Sequence, residues 1–286
     1  MTTAAASNAV AGLLGIPVER VLPLGGAAYE VRLAGGDAVL AKGHDDPNAV
    51  RAEAASLLWL VQPGAVPVPR LRAENDHWLV TDLIPSGSAT KKAAEDLGRG
   101  LAGLHASGAP AFGSPPDFGP ADASIGLAPM RNAECRSWPE FYGRWRIEPY
   151  LRTAVDRGTF GPAQVRIFTD VIDRLEDLGG PPEPPARLHG DLWSGNVVWG
   201  ADGRAWLIDP AAHGGHRETD LAMLHLFGCS YLDTVVAAYH EASPLAGGWR
   251  GRIALHQLFP LLVHTVLFGG GYAAQAVNAA RAALSV

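Results

Sequence analysis

Apolar and polar positions alternate along the early part of the chain and then change to a helical rhythm. The first alternating run is Tyr29-Glu30-Val31-Arg32-Leu33. The turn Ala34-Gly35-Gly36 follows, and then Asp37-Ala38-Val39-Leu40-Ala41-Lys42. Two such runs around a glycine turn predict a β-hairpin, with Lys42 ending its second strand. Asp45 or Asp46 can then cap a helix that has Pro47 in its first turn. Val50, Ala54, Leu57, Leu58 and Val61 recur at helical spacing and define its expected inner face. Proline restriction makes residues 63–69 extended, and residues 77–84 read as a strand broken by Pro85-Ser86-Gly87. Helical patterns dominate beyond that point. Residues 93–106 carry Leu97, Leu101 and Leu104 on one face, with His105 as a packed or capping residue. Residues 140–155, 164–178 (core positions Val165, Phe168, Ile172 and Leu175) and 218–227 follow the same rhythm. Residues 108–129 read as a Gly/Pro-rich loop, and residues 181–185 as a stiff connector to a strand at Arg187-Leu188-His189. The pattern predicts an α+β chain of two lobes: a small β-rich lobe over 1–84 and a larger, mainly helical lobe over 85–286, with a hinge at about 82–88.

At 286 residues, with 48% hydrophobic and 18% charged residues, the composition is that of a soluble globular protein with a sizeable core. A formal net charge of −6 and the absence of a Lys/Arg cluster argue against nucleic acid as a partner. Cys135 and Cys229 lie far apart with no CxxC pattern, so neither a disulfide framework nor a zinc site is expected. Residues 1–10 lack the basic start of a secretion signal. The apolar stretch 255–272 contains His256, Gln257, Pro260 and His264, and reads as a buried core helix rather than a membrane span. The expected setting is the cytoplasm, away from membranes; the sequence leaves oligomeric state open.

The candidate chemistry lies in His189-Gly190-Asp191-Leu192-Trp193-Ser194-Gly195-Asn196 and in Leu207-Ile208-Asp209-Pro210. Asp191 and Asn196 are five residues apart, and Asp209 follows thirteen residues later. That is the spacing of a kinase-like phosphotransferase centre. A carboxylate must accept the proton of an attacking hydroxyl, and an amide oxygen and a second carboxylate must hold Mg²⁺ beside the ATP phosphates, because hard oxygen ligands suit that ion. Residues 196–199 and 205–208 flank the turn Gly200-Ala201-Asp202-Gly203 and predict a hairpin with Asn196 at its entry and Asp209 at its exit. Each fragment alone is an ordinary turn; together, at these spacings, they favour phosphoryl transfer. Glu53 falls on or beside the inner face of its helix, where a carboxylate needs a partner, and strand-borne Lys42 supplies one. In a kinase-like fold such a pair orients phosphates. Gly25 and Gly26 sit where a phosphate-covering loop belongs. They admit two readings, backbone contact with phosphate or a plain turn. Main-chain groups of Asp82, Leu83 and Ile84 are the hinge candidates for the adenine edge.

The chain also resembles a known family. The catalytic run, Asp209-Pro210-Ala211 and the stretch His213-Gly214-Gly215-His216-Arg217-Glu218-Thr219-Asp220-Leu221-Ala222-Met223 are similar to the fructosamine kinase (ketosamine-3-kinase) family. Trp138-Pro139-Glu140-Phe141-Tyr142 and Arg146-Ile147-Glu148-Pro149-Tyr150-Leu151 carry the same likeness. That family lies in the aminoglycoside-phosphotransferase-like branch of the protein-kinase-like fold. The resemblance implies Asp191 as catalytic base, Asn196 and Asp209 as Mg²⁺ ligands, and Lys42 on the α- and β-phosphates with Glu53 orienting it. It also implies Trp193 facing the substrate, and His189 and Asp220 supporting the catalytic loop. His213 and His216 follow Asp209 closely and are expected to line the acceptor side; a zinc reading of that pair lacks a third ligand. The implied substrate is a ketoamine (a fructosamine or ribulosamine), free or on a protein lysine, phosphorylated at the third sugar carbon so that the adduct falls apart. The alternatives are a kinase for another hydroxylated cation, such as an aminoglycoside, amino sugar or choline, and a nucleotide-binding pseudokinase. Some family members carry a redox-active cysteine in the phosphate loop; residues 24–29 have none.

Overall fold

The structure is a computed structural model and describes residues 1–285. Helix α1 (Thr3–Leu14) leads into strands β1 (Val18–Gly25), β2 (Ala28–Leu33) and β3 (Ala38–Gly43). Helix α2 (Pro47–Val61) and strands β4 (Leu71–Glu74) and β5 (Trp78–Asp82) follow. The strands form one antiparallel sheet in the order β1-β2-β3-β5-β4. The expected hairpin is β2–β3, with Ala28 opposite Lys42. Side chains alternate across a strand, so Val39 and Ala41 enter a core with Ala6, Val10, Val31 and Trp78 beneath α1. Lys42 therefore points to the opposite face.

Helix α2 begins where Asp46 accepts a hydrogen bond from the Asn48 amide at 2.9 Å, with Pro47 in the first turn. Its buried arc differs from the expectation: Leu58 and Val61 are exposed, whereas Trp59 and Leu60 are buried. The helix is packed from two sides, which widens and rotates its inner face. One side meets β4 and β5; on the other, the Arg187 guanidinium lies 4.3 Å over the Trp59 ring, and Ser56 Oγ accepts from the Ala212 amide at 3.2 Å.

Helix α3 (Lys91–Ala106) opens the helical part. The expected loop over 108–129 contains a hairpin, β6 (Asp122–Ile125) and β7 (Ala128–Arg131), whose four-residue strands are too short to stand out among the prolines. The single helix expected over 140–155 is three pieces: α4 (Trp138–Phe141), a π-helical stretch over Tyr142–Ile147, and α5 (Glu148–Asp156). Pro149 has no N–H to donate and is accommodated in the first turn of α5. Residues 164–178 divide between α6 (Pro162–Asp173) and α7 (Leu175–Leu178), with Phe168 and Leu175 buried. Strand β8 (Ala186–Leu188), the hairpin β9 (Val197–Trp199) and β10 (Ala205–Leu207), and strand β11 (His213–Gly215) come next. Helices α8 (Glu218–Phe227), α9 (Leu232–Ala242), α10 (Trp249–His256), α11 (Leu258–Phe268) and α12 (Gly271–Leu284) complete the chain.

The apolar stretch 255–272 is thus not one helix but runs from the end of α10 through α11 into α12. Leu258, Phe259, Pro260, Leu261, Leu262 and Val263 are all buried in the helical core. The segment Trp249–Phe268 is long and apolar enough by length and composition to cross a membrane, yet 56% of its most apolar window is buried inside the fold.

Helices α3 and α9 approach closely at Gly98, where an added Cβ would overlap the Val235 carbonyl oxygen and crowd Ala238 and the Tyr239 amide. Gly98→Ala gains about 1 kcal/mol of helix propensity. It also forces two backbones apart, and overpacking of this kind costs about 1–3 kcal/mol. The obstructing atom is main chain, which no rotamer change relieves, so the substitution is expected to lower the urea midpoint. A midpoint that rises contradicts this account of the helix contact.

Candidate active site

Two antiparallel pairs hold the run from His189 to Asn196. Strand β8 enters it and pairs with β11, Leu188 opposite His213; the β9–β10 hairpin leaves it and delivers Asp209. Gly190 adopts φ 83°, and any Cβ there would overlap the Ala211 carbonyl oxygen, so the sharp turn before Asp191 requires glycine. Asp220, buried on α8, receives the main-chain amides of His189 at 2.8 Å and Gly190 at 3.0 Å. His105 Nε2 lies 3.1 Å from the same carboxylate, and its Nδ1 meets the Tyr239 hydroxyl at 2.8 Å. His189 Nε2 donates to the Ile208 carbonyl at 3.0 Å, tying the run to the strand before Asp209.

Asn196 Nδ2 donates to the Asp191 carbonyl oxygen at 2.8 Å and to Asp191 Oδ2 at 3.0 Å. The amide orientation follows, and Asn196 Oδ1 is left as an oxygen donor. Lys42 Nζ lies 2.9 Å from Glu53 Oε2 and 3.3 Å from Asp209 Oδ1, while His44 Nε2 lies 3.3 Å from Glu53. The pairing anticipated between strand lysine and helix glutamate is therefore present, and Lys42 also bridges to Asp209.

Burial raises the Asp191 pKa to about 6; Asn196 pulls it down, and the nearby Asp209 and Asp220 charges push it up. Burial opposes the charge on Lys42, but Glu53 and Asp209 more than offset this and hold its pKa above the ordinary value. Glu53 is also disfavoured by burial, yet Lys42 and His44 hold it below the ordinary range. Asp209 stays above its ordinary value because burial outweighs its longer contact with Lys42. The two carboxylates share one lysine, and the closer one is the better ionised.

A cavity of about 270 Å³ gathers Lys42, Glu53, Asp191, Asn196, Asp209 and Trp193 in one cleft. Next to it, a smaller recess is walled by Leu40, Leu57, Leu79, Thr81 and Ile208, with Lys42 and Asp209 at its mouth. Trp193 is 40% exposed, with its ring edge-on to Phe227 at 6.0 Å. Gly25 and Gly26 form the tight β1–β2 turn, with Gly25 paired to Ala28, and line neither cavity. Leu83 and Ile84 are half-buried just past β5, and the Asp82 carboxylate is turned to Arg72 at 3.0 Å.

The expectation that His213 and His216 line the acceptor side is corrected by their placement. Both are buried and absent from the cleft wall. Strand β11 pairs into the core, so its side chains are covered: His213 donates from Nδ1 to the Ala211 carbonyl at 2.9 Å, and its ring lies 5.8 Å from that of Phe141. His216 sits against Trp138 and His256, at 5.3 and 4.8 Å. In space, Glu218 and His256 join His216 in a group whose possible ligand atoms lie within 4.8 Å of one another. Arg252, however, takes both Glu218 oxygens at 2.9 and 2.6 Å. A guanidinium already neutralises that carboxylate, so the cluster acts as charge-paired core.

Among the cleft residues that sequence reasoning missed are His44, Asn132, His264 and Phe268. Asn132 lines the wall while almost fully buried, and its Oδ1 accepts from Arg146 at 2.7 Å. Arg146 is itself buried between Phe141 and Phe259, at 4.5 and 5.2 Å, with no carboxylate partner among the described residues.

Fold and site together define a phosphotransferase of the protein-kinase-like class. The sequence profile of the fructosamine kinase family matches residues 38–285, and the chain belongs to that family. A Synechocystis protein with the provisional name ketoamine kinase is 34% identical over 79% of this chain and 75% of its own length. The chloroplastic protein-ribulosamine 3-kinase of Arabidopsis thaliana is 29% identical over 81% and 71%. A crystal structure from Thermobifida fusca, provisionally named fructosamine-3-kinase, superposes with a TM-score of 0.92 at 47% identity over 98% of both chains. The fold alone is shared with aminoglycoside phosphotransferase APH(4)-Ia, at a TM-score of 0.65, 16% identity and 98% coverage of both chains.

Removing the Asp220 side chain strands two main-chain amides and His105 in the interior. Asp220→Ala is expected to lower the unfolding free energy by about 3–5 kcal/mol, the range for breaking a buried charged network, as measured by urea denaturation. A loss below about 1 kcal/mol, within the scatter of an ordinary substitution, contradicts the tether. Stability should also fall as pH drops from 7 to 5. Burial lowers the pKa of His189, His216 and His256, and of His213 to about 3. The unfolded chain takes up protons at these sites near the ordinary histidine value of about 6.5, and the folded chain does not, so their stabilisation is present above that pH and lost below it. Asp191 and Asp209, with raised values, act in the opposite direction, but four histidines outweigh two carboxylates. A urea midpoint unchanged between pH 7 and pH 5 contradicts neutral burial of the histidines.

Proposed function

We propose that this chain is a MgATP-dependent kinase that phosphorylates a sugar hydroxyl of ketoamines, fructosamines or ribulosamines, free or attached to a protein lysine. The observation that carries the proposal is the shared cleft, in which Asn196 orients Asp191 and Lys42 sits between Glu53 and Asp209. This arrangement lies in a chain of the fructosamine kinase family. In this reading Asp191 is the base that receives the proton of the acceptor hydroxyl, and its raised pKa strengthens it as a proton acceptor. Lys42 holds the phosphates of ATP, and Glu53 holds Lys42.

The donor set fits a hard divalent cation. Asn196 Oδ1 makes no hydrogen bond among the described residues, and the Asp209 side chain is 40% exposed with one oxygen directed to Lys42. Both are oxygen ligands of the kind Mg²⁺ takes. These two residues would hold Mg²⁺, which when bound neutralises charge on the phosphates. The adenine ring would lie beside the segment that follows β5, with main-chain groups of Asp82, Leu83 and Ile84 reading its edge. Residues 1–84 would then form the nucleotide lobe and 85–286 the catalytic and substrate lobe, hinged at about 82–88. Trp193 offers the sugar an exposed ring face at the acceptor end, and the enzyme works in the cytoplasm as a deglycation kinase. The chain contributes alignment and charge placement rather than a covalent intermediate.

Asp191→Ala is expected to reduce phosphoryl transfer by about 10²–10⁴-fold, the usual contribution of a positioned base, while ATP affinity stays within a few-fold. An acceptor panel read by ADP release should show turnover of fructosyl-lysine or ribosyl-lysine. Turnover of aminoglycosides or choline with none of ketoamines would replace the substrate assignment, and full activity in Asp191→Ala would remove the base.

A further inference from the structure

Beside Trp193 the cleft carries a group of aromatic rings, and apart from Trp193 the roles above do not use them. Its members are Trp193, Phe227, His264, Phe268 and Tyr272. Their ring centroids lie 6.0 Å apart for Trp193 and Phe227, 5.0 Å for Phe227 and His264, 5.5 Å for His264 and Phe268, and 4.9 Å for His264 and Tyr272. Trp193, His264 and Phe268 line the cavity itself, and Phe268 is 67% exposed. Phe227 and Tyr272 pack behind these three, against Trp193 and His264.

His264 is fixed in one tautomer. Its Nδ1 lies 2.7 Å from the Pro260 carbonyl, which can only accept, so Nδ1 carries the proton and Nε2 keeps its lone pair. Burial lowers the pKa of this imidazole and favours the neutral form, though the Pro260 contact works against it. The carboxylates lining the cavity are Glu53, Asp191 and Asp209. Lys42 occupies the first and third, and the second is the base. A cationic substrate therefore finds no spare anion in the cleft.

Resting on the kinase reading above, we propose that His264 determines specificity for the ketoamine nitrogen. Its Nε2 accepts a hydrogen bond from the substrate ammonium N–H, and the rings of Trp193 and Phe268, which line the same cavity, meet the positive charge. Quadrupole attraction of a cation to aromatic faces, supplemented by one neutral acceptor, recognises an alkylammonium without the desolvation that a buried carboxylate would demand. His264 thus acts on binding of the amine, not on the transferred proton.

The test compares fructosyl-lysine with an ether analogue in which oxygen replaces the amine nitrogen. Wild-type enzyme should show a KM about a hundredfold lower for the amine, tenfold from one charge-assisted hydrogen bond and tenfold from the ring contacts. His264→Phe keeps the aromatic wall and should raise the amine KM about tenfold while leaving the ether KM and the ATP KM within twofold. His264→Gln, which can place an oxygen near the Nε2 position, should recover part of the loss. Equal wild-type KM values for amine and ether overturn the proposal without any variant, as does an equal rise for both substrates in His264→Phe. Wild-type enzyme that phosphorylates no ketoamine at all overturns the kinase reading instead, so the two failures are distinct.

Discussion

The structure depends most on the buried carboxylate of Asp220. An ion in that position is costly by several kcal/mol unless its lone pairs are occupied, and here two main-chain amides and His105 occupy them. Burial alone would raise its pKa, but these donors and the nearby imidazoles hold it below the ordinary range. Asp220 is therefore ionised in the folded state and draws the turn at His189 and Gly190 onto α8. Asp191, the next residue, inherits its position from that turn. His105 and Tyr239 extend the same network through α3 and α9, so three helices support one loop.

The opposite wall of the cleft is set by a different constraint. Period-two alternation places Lys42 on the cleft face of β3, and α2 brings Glu53 to it. The second contact, from Lys42 to Asp209, joins the sheet to the end of the β9–β10 hairpin. Both partners of that contact are partly exposed, so it adds little to stability. Its significance is electrostatic: the cation and three carboxylates share one cavity, and the balance among them leaves Asp191 hard to ionise and Glu53 easy.

Much of this was legible in the chain before the fold was known. The spacing of Asp191, Asn196 and Asp209 and the alternation around Lys42 depend on local geometry, and both elements formed where the pattern placed them. The amphipathic reading of α2 located the helix but misjudged Leu58 and Val61, because a helix packed on two sides has no single stripe. Proximity in sequence misled for His213 and His216: they follow Asp209 by a few residues, but a short strand turns them into the core. Asn132, His264 and Phe268 reach the cleft from a loop and a helix far apart in the chain. Nothing local marks such residues, since they meet only when α11 and the segment after β7 pack together. The split of residues 140–155 around a π-helical stretch was equally hidden, apart from Pro149.

The most direct measurement is a crystal structure with Mg²⁺, a non-hydrolysable ATP analogue and a ketoamine bound together. The account predicts the cation between Asn196 and Asp209, the phosphates against Lys42, and a sugar hydroxyl within hydrogen-bond reach of the Asp191 carboxylate. A ketoamine seated away from Asp191, or a nucleotide whose phosphates leave Lys42 untouched, would contradict it.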